Sequence, residues 1–420
     1  MGAAHDDDAI GWRDVRQRPL LVGLIIGLAG VAVATVAGVL VLWPDGSGRD
    51  AAREEAAEIG LASDRFVANV ESVTDAPCSY ETESGLPCRS IVVIPEEGPD
   101  QGSLVSLGEF SVDEPRFSPD VSVGDSIVVG YEPTTASYFF ADLDRRTPLL
   151  ILAALFAIFV VALARFRGVL ALIAMGVTLV ILVSFVAPSV LDGHDPLLVS
   201  VVAASAIAFV ALFLTHGFTP PTAIALAGTL SALALTLLIS RVFFEAAGFT
   251  GLASEEGITL PFVAGGVNLS SLLLGGAILG ALGALDDVTV TQVVTVGELR
   301  RQNPALRIRE LTAAGIRVGR EHIAATVNTL LLAYVGASMP LLLLFAVTNQ
   351  SFTMVANSEL VAVEIFRTLC GSIGLVAAVP ITTGLAAALL GARSAPDSPT
   401  PSAAAEPDWR DFGPRNELEL

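Results

Sequence analysis

Two adjacent carboxylates stand inside an apolar, glycine-rich segment of the chain. Asp286 and Asp287 interrupt the run 269–296, in which most other side chains are aliphatic or small. An aspartate within a membrane helix costs about 2.5–3.5 kcal/mol on insertion scales, and such residues usually face a protein interior or a water-filled cavity. Because adjacent like charges disfavour double ionisation, the two can share one proton. The pair predicts a proton or cation site, and the structural alternative is that both cap a helix or pair with arginines.

Neutral oxygens accompany these carboxylates at helical spacing. On a helix with 100° per residue, Thr291 lies on the face of Asp287, whereas Asp286 points toward Thr289. Asn328, on the next apolar segment, offers an amide oxygen. We therefore expect Thr289, Thr291 or Asn328 to complete an ion or substrate site, and the sequence leaves the identity of any metal unknown.

Small residues precede Asp287 on the same side of this predicted helix. Gly276 and Gly280 form a small-xxx-small pair, and Gly283 lies four residues before Asp287. Such faces let membrane helices approach one another closely. We therefore expect Asp287 to meet a closely packed neighbouring helix.

Two histidines and an ion pair complete the set of candidates. His322 begins the segment after the carboxylates and titrates near neutrality, so it could relay protons or could have a structural role at the membrane edge. His216 lies in the turn THGFTPPTA, as a candidate loop site or a structural residue. Glu364 and Arg367 are three residues apart, which suits an intrahelical ion pair with a gating or a structural role.

The sequence carries no familiar catalytic motif. It contains no G-x-S-x-G, H-E-x-x-H or Walker pattern, and no Cys/His cluster with metal-site spacing. Intramembrane aspartyl hydrolases place their aspartates on two facing helices, whereas here both stand on one. We therefore expect neither an enzyme nor a cofactor.

The composition is that of a polytopic membrane protein. Hydrophobic residues make up 53% of the chain and charged residues 16%, where a soluble protein carries about 25% charged residues. The apolar residues cluster into runs long enough to span a bilayer as helices. The net charge of −20 argues against a nucleic-acid partner. The expected partner is the lipid bilayer.

Charge and hydropathy predict eight spans, a signal anchor followed by seven helices. With the N-terminus in the cytoplasm, the arginine-rich loop 297–320 is cytoplasmic as well, as the positive-inside rule requires. The seven spans are 148–164, 168–187, 197–215, 221–243, 269–296, 322–347 and 359–391. We expect the protein to lie in the plasma membrane. Its predicted parts are a cytoplasmic segment 1–18, the anchor 19–43, an extracytoplasmic β-rich domain 44–147, a seven-helix membrane domain 148–391 and a disordered cytoplasmic tail 392–420.

The region 44–147 has a different character from the spans. Its strand-like runs, such as RSIVVIP and DSIVVGYEP, are bounded by Pro, Gly and Asp, which predicts one small OB-like or sandwich domain. Cys78 and Cys88 flank a polar stretch and could close a disulfide in an outward-facing domain.

Several blocks of sequence carry a resemblance to a known family. GALGALDDVTVTQ, GREHIAATVNTLLLAYVGASMP and ELVAVEIFRTLCGSIGLVAAVPITT, in this order, resemble the YibE/F-like integral membrane protein family in its actinobacterial form. The resemblance extends from about residue 60 to residue 391. It implies a multi-pass plasma-membrane protein of a kind usually described as a permease, and it implies no settled substrate or site residues.

Two functions of different classes fit these observations. The first is a transporter or permease for a small solute or ion, with the intramembrane carboxylates as its cation or proton site. The alternative is a non-transporting envelope assembly factor or sensor whose outer domain binds a protein partner. Either protein could form a homo-oligomer.

Overall fold

A computed structural model describes residues 19–59, 63–79, 87–112, 119–133, 135–347 and 351–390. The predicted cytoplasmic segment 1–18 and the predicted tail 392–420 lie outside the described residues.

Twelve α-helices and five β-strands form in the described parts of the chain. Long aliphatic runs account for most of the helices. The helices are α1 Pro19–Val41, α2 Ser47–Glu58, α3 Arg146–Ile181, α4 Ala187–Leu191, α5 Pro196–His216, α6 Pro220–Ala247, α7 Glu255–Val263, α8 Leu269–Gln302, α9 Ile308–Ala337, α10 Met339–Val347, α11 Phe352–Asn357 and α12 Glu359–Leu390. The strands are β1 Asp64–Pro77, β2 Pro87–Pro95, β3 Val105–Ser111, β4 Ser126–Glu132 and β5 Ser137–Leu143.

The described helices are those of a multi-pass membrane protein. Six helical runs are long and apolar enough to cross a membrane, or up to seven if α9 and α10, which meet at 64°, count as one broken span. The eight spans predicted from the sequence differ from this number because two of them, 148–164 and 168–187, fall within the single run Arg146–Leu191. This run consists of α3, a π-helical turn at Leu182–Val186 and α4.

This long run is broken at Arg165. Its 46 residues would measure about 69 Å if straight, roughly twice the thickness of the hydrocarbon core. Arg165 has φ 54° and ψ −131°, which is not helical. A methyl group on Gly168 would lie 2.6 Å from the carbonyl oxygen of Val160. In a straight helix these two residues would be about 12 Å apart along the axis. The chain therefore turns back near Arg165. That this run crosses the membrane twice remains a prediction from the sequence.

The β domain, residues 64–143, is one antiparallel sheet in the order β3-β2-β1-β4-β5. The edge strands β3 and β5 approach each other, which gives a half-barrel. The described strands form a single sheet, so the sandwich alternative is wrong for this part of the chain. A disulfide joins Cys78, just after β1, to Cys88 in β2. Alternating apolar residues of the strands fill the core: Ala68, Val70, Ile91, Val93, Ile127 and Val129.

Contacts between Cα atoms divide the chain into two compact units. Of the described residues, one contains those within 19–34, 217–247 and 277–390, and the other contains those within 35–216 and 248–276. In the second unit, the carboxylate of Asp192 accepts hydrogen bonds from the backbone N–H groups of Asp45 and Gly46 at 2.7 and 2.9 Å. This contact ties the segment after α1 to the end of α4.

Within the first unit, α6 and α12 pack antiparallel through reciprocal glycine–threonine contacts. A methyl group on Gly228 of α6 would collide with Thr382 of α12, and one on Gly374 of α12 would collide with Thr236 of α6. The two contacts are eight residues apart on each helix, so they repeat after about two turns. Glycine thus lets threonines, rather than bulky aliphatic residues, occupy this helix interface.

Candidate functional site

The candidate site is built around α8 and its neighbours α6, α9 and α12 in the first unit. The packed side of α8 carries aliphatic side chains together with Thr289 and Gln292, both of which are fully buried. Its other side carries small residues and Asp287. The two adjacent aspartates therefore stand at the boundary between the buried and the exposed sides of one helix.

The glycine face that leads to Asp287 is largely exposed, although a methyl group on Gly280 would lie 3.2 Å from the hydroxyl oxygen of Tyr334 on α9. Gly276, Gly280 and Gly283 are exposed, and the side chain of Asp287 is 71% exposed. The helix instead buries the side that carries Ile278 and other aliphatic residues. Alanine and glycine occur on both sides of α8, so small size did not distinguish the packed side, whereas burial of larger apolar area did.

Asp287 nevertheless has a partner on the adjacent helix. Its Oδ2 lies 3.7 Å from Nε2 of His322 on α9, and the side chain of this histidine is 32% exposed. Nε2 of His322 has no hydrogen bond to any described residue. The contact is an ion pair only when the imidazole is protonated. The structure thus brings together two of the predicted site residues across α8 and α9, with a link that depends on a proton.

Asp286 has different surroundings. Its Oδ1 is buried and finds no hydrogen-bond partner among the described side chains and backbone groups. Its backbone carbonyl accepts a hydrogen bond from the hydroxyl of Thr289 at 3.1 Å. A buried carboxylate oxygen without a donor is costly unless it gains a proton, a cation or a water molecule. Neighbouring positions therefore hold one partly buried carboxylate, with a buried oxygen, and one exposed carboxylate.

A layer of neutral polar side chains continues inward from Asp286. Thr289 shares a 2.6 Å hydrogen bond with Thr229 of α6, and Thr383 of α12 donates to Oε1 of Gln292 at 2.9 Å. Every one of these side chains is fully buried. The layer joins three helices through hydroxyl and amide groups.

Two polar atoms in this layer are unpaired within the described structure. They are Nε2 of Gln292 and the hydroxyl oxygen of Thr382. A methyl group on Gly319 of α9 would lie 2.8 Å from that amide nitrogen, so glycine makes room for it. Unpaired buried groups in an apolar setting are rare, and an ordered water or a polar solute satisfies them where space allows.

This layer escaped the sequence analysis. Gln292 stands in the same TVTQ block as Thr289, but its partner Thr383 is 91 residues further along the chain. In the sequence, the layer could be recognised only from a glutamine and several threonines in spans otherwise composed mainly of aliphatic residues. Their common location required the packing of α6, α9 and α12.

The other predicted ligands lie apart from the carboxylates. The hydroxyl of Thr291 donates to the backbone carbonyl of Asp287 at 2.8 Å, which is a bond within one helix. Asn328 is exposed on α9. Neither side chain bonds a carboxylate oxygen in the described structure. No group of three or more His, Cys, Asp or Glu residues that could hold a metal ion occurs in the described ranges.

The predicted ion pair of α12 is tight. Nη1 of Arg367 donates to Oε1 of Glu364 at 2.7 Å, and each side chain is 26% exposed. The hydroxyl of Thr368 bonds the backbone carbonyl of Glu364 at 2.8 Å. Because all three residues belong to α12, this pair links no helices to one another.

His216 lies in the second unit, at the end of α5. Its Nδ1 is 2.6 Å from the hydroxyl of Thr215. This contact between sequence neighbours fits the structural alternative for His216 and indicates no site.

Comparison with known proteins gives one match. A family model described as YibE/F-like protein matches residues 152–392, more than half of the chain and all of the candidate site. Searches of curated proteins and of solved structures found no match.

Proposed function

We propose that this chain, which belongs to the YibE/F-like protein family, is a membrane transporter for a small solute or ion. In this proposal Asp286, Asp287 and His322 form a proton or cation site within the helices. Thr289 and the buried amide of Gln292 continue the path inward. Catalysis and a resident cofactor have no part in it.

The observation that carries the proposal is the contact between Asp287 and His322. The two side chains belong to different helices, are partly accessible and approach to 3.7 Å without a hydrogen bond. Protonation of either group changes the attraction between α8 and α9, since only the charged forms attract each other. A proton-dependent link between two helices is what a proton-coupled transporter needs.

The buried polar layer supports the same function. Gln292 and Thr382 leave a donor and a hydroxyl unpaired, and Asp286 leaves a carboxylate oxygen unpaired. Polar groups within a membrane helix are costly and mark paths for ions or substrates. Hydrogen bonds between helices account for Thr289 and Thr383, whereas the unpaired atoms of Asp286, Gln292 and Thr382 are left for an ion, a water molecule or a solute.

The proposal also includes an orientation in the plasma membrane. The predicted eight spans, with both termini in the cytoplasm, place the arginine-rich loop 297–320 inside and the β domain outside. The strand order and the approach of β3 to β5 support an OB-like, partly open five-stranded barrel for that domain.

Flux in liposomes tests the proposed transport. Purified protein would be reconstituted with a pH-sensitive dye inside, and gradients of Na⁺, K⁺, Mg²⁺, phosphate and amino acids would be imposed in turn. We expect at least one gradient to drive proton movement through the wild type, and we expect Asp286→Asn and Asp287→Asn each to lower its rate at least about tenfold. Glu298→Gln, an exposed change further along α8, is the matched control and should keep the flux. Equal flux in all four proteins would refute the carboxylate site.

A second candidate function rests on the β domain. The half-barrel is not closed by hydrogen bonds between β3 and β5, and open strand edges can pair with another chain. An envelope assembly factor or sensor would use such an edge for a protein partner. Deleting 60–140 would then abolish the cellular function, while Asp286→Asn and Asp287→Asn would leave it intact.

A further inference from the structure

A cavity of about 250 Å³ lies among α9, α10, α11 and α12, away from the carboxylate site. The bend of 64° between α9 and α10 opens it, and Pro340 stands just after this bend. The short helix α11 contributes Phe352 and α12 contributes Val361 and Leu369 to its walls. All of these elements belong to the first unit.

The walls of this cavity are apolar. Leucine, valine, isoleucine and phenylalanine provide most of the lining, with Leu331, Leu342 and Ile365 among them. Apolar cavities of about 150 Å³ stay dry and take apolar ligands, and this one is larger. Tyr334, Ser338 and Thr368 also line the cavity, but most of its wall is hydrocarbon, which favours an apolar occupant over water.

The charged lining residue does not change this conclusion. Glu364 faces the cavity, and Arg367 neutralises it at 2.7 Å. Because the pair has no net charge, the wall beside it accepts hydrocarbon at much lower cost than an isolated carboxylate would. The tight pair thus keeps an apolar site apolar.

The cavity opens at the surface of the helices. Several lining side chains remain exposed, with Phe352 at 84%, Leu369 at 57% and Leu331 at 46%. Their neighbours Leu332 and Leu344, at 59% and 62%, continue this apolar surface. Leu331, Leu344 and Leu369 lie within predicted spans, so the part of the opening beside them faces the acyl region of the bilayer, and Phe352 lies at its edge, between two spans.

We infer that this cavity is a lipid-binding site that takes one acyl chain of a bilayer phospholipid. The chain enters between α10 and α12 and packs against the leucines of the wall. This site goes beyond the proposed transport and does not depend on it.

Photolabelling tests the lipid site. The full-length protein would be placed in nanodiscs of phosphatidylcholine that contain a trace of phosphatidylcholine with a diazirine in one acyl chain. After illumination, mass spectrometry would locate the labelled residues. We expect the cavity walls to carry at least about five times as much label as the lipid-facing residue Leu344, because an acyl chain occupies the cavity in preference to the open surface.

A matched pair of variants makes this test specific. Leu342→Trp fills the cavity from α10, and Leu344→Trp places the same side chain on the exposed side of that helix. We expect the first to lower cavity labelling about fivefold and the second to leave it unchanged. Size-exclusion profiles and melting curves would establish that both variants are folded. If Leu342→Trp does not fold, the smaller change Leu342→Phe takes its place. Labelling of the walls no stronger than at Leu344, or unaffected by filling, would overturn the assignment.

Discussion

Two acid–base pairs within the membrane helices differ in almost every respect. Glu364 and Arg367 lie on one helix, touch at 2.7 Å and are both 26% exposed. Asp287 and His322 lie on two helices, approach only to 3.7 Å and include a carboxylate that is 71% exposed. The first pair has a permanently charged base, whereas the second has a histidine, which is charged only when protonated.

From this difference we expect the Glu364–Arg367 pair to stabilise the fold and the Asp287–His322 pair to respond to protonation. A half-buried arginine–glutamate pair must stay intact, because removal of one partner leaves a charge in apolar surroundings. A loose and accessible aspartate–histidine pair costs little to break, and a proton decides whether it exists. We therefore expect substitutions at Glu364 and Arg367 to change stability most, and substitutions at Asp287 and His322 to change function.

The largest effect is expected from Arg367→Leu. This change leaves Glu364 unpaired and half-buried, which should lower the free energy of unfolding by about 3 kcal/mol. Unfolding in mixed detergent micelles would measure it. The double variant Glu364→Leu with Arg367→Leu removes both charges and should recover most of the loss. If Arg367→Leu is as stable as the wild type, the pair has no structural role.

Next in size is the effect of Thr383→Val. The change keeps the shape of the side chain but removes the donor to Oε1 of Gln292, so we expect a loss of about 1–3 kcal/mol. Thr329→Val is the control, since Thr329 is exposed and bonds only the carbonyl of Ala325 in its own helix. The same detergent unfolding would compare them. Equal losses in both variants would mean that the buried polar layer does not hold the helices together.

Asp287→Asn should alter stability much less. The carboxylate is exposed and its histidine partner is loosely placed, so the change in the free energy of unfolding should stay within about 1 kcal/mol. A loss as large as that of Arg367→Leu would place this pair in the same structural class as Glu364 and Arg367.

The smallest effect concerns a third pair, in the β domain. Nε of Arg89 donates to Oδ1 of Asp75 at 2.9 Å, and this hydrogen bond holds the pKa of Asp75 below its usual value. The stability that it contributes is present above the unfolded pKa of about 3.9 and is lost as the pH falls through the lower folded pKa. Melting of the full-length protein, followed by the near-ultraviolet signal of the tyrosines, should show less acid sensitivity for Asp75→Asn than for the wild type. Identical pH profiles would show that the pair makes no contribution.

Local sequence rules were sufficient where a contact lies within one element. The three-residue spacing of Glu364 and Arg367 brings them together on any helix. The short distance along the chain between Cys78 and Cys88 likewise allowed their pairing to be considered. The alternation of apolar residues indicated strands in the β domain, but it could not separate an OB-like domain from a sandwich, because strand order depends on pairing between distant segments.

Contacts between elements were beyond the reach of the same rules. The glycine stripe before Asp287 indicated a packed face and proved to be exposed, since the pattern gives the spacing of small residues and not the identity of the partner helix. The bond between Gln292 and Thr383 requires α8 and α12 to meet. The pairing of Asp287 with His322 likewise depends on how α8 and α9 cross.

The central claim is that Asp287 and His322 act as one proton-dependent unit. The most direct test is the rate of proton flux in liposomes for Asp287→Asn, His322→Gln and the double variant, each driven by the gradient that is effective for the wild type. If the two act together, each single change lowers the rate at least about tenfold and the double variant is no slower than the singles. Flux that persists in both single variants, or losses that multiply in the double variant, would contradict the account.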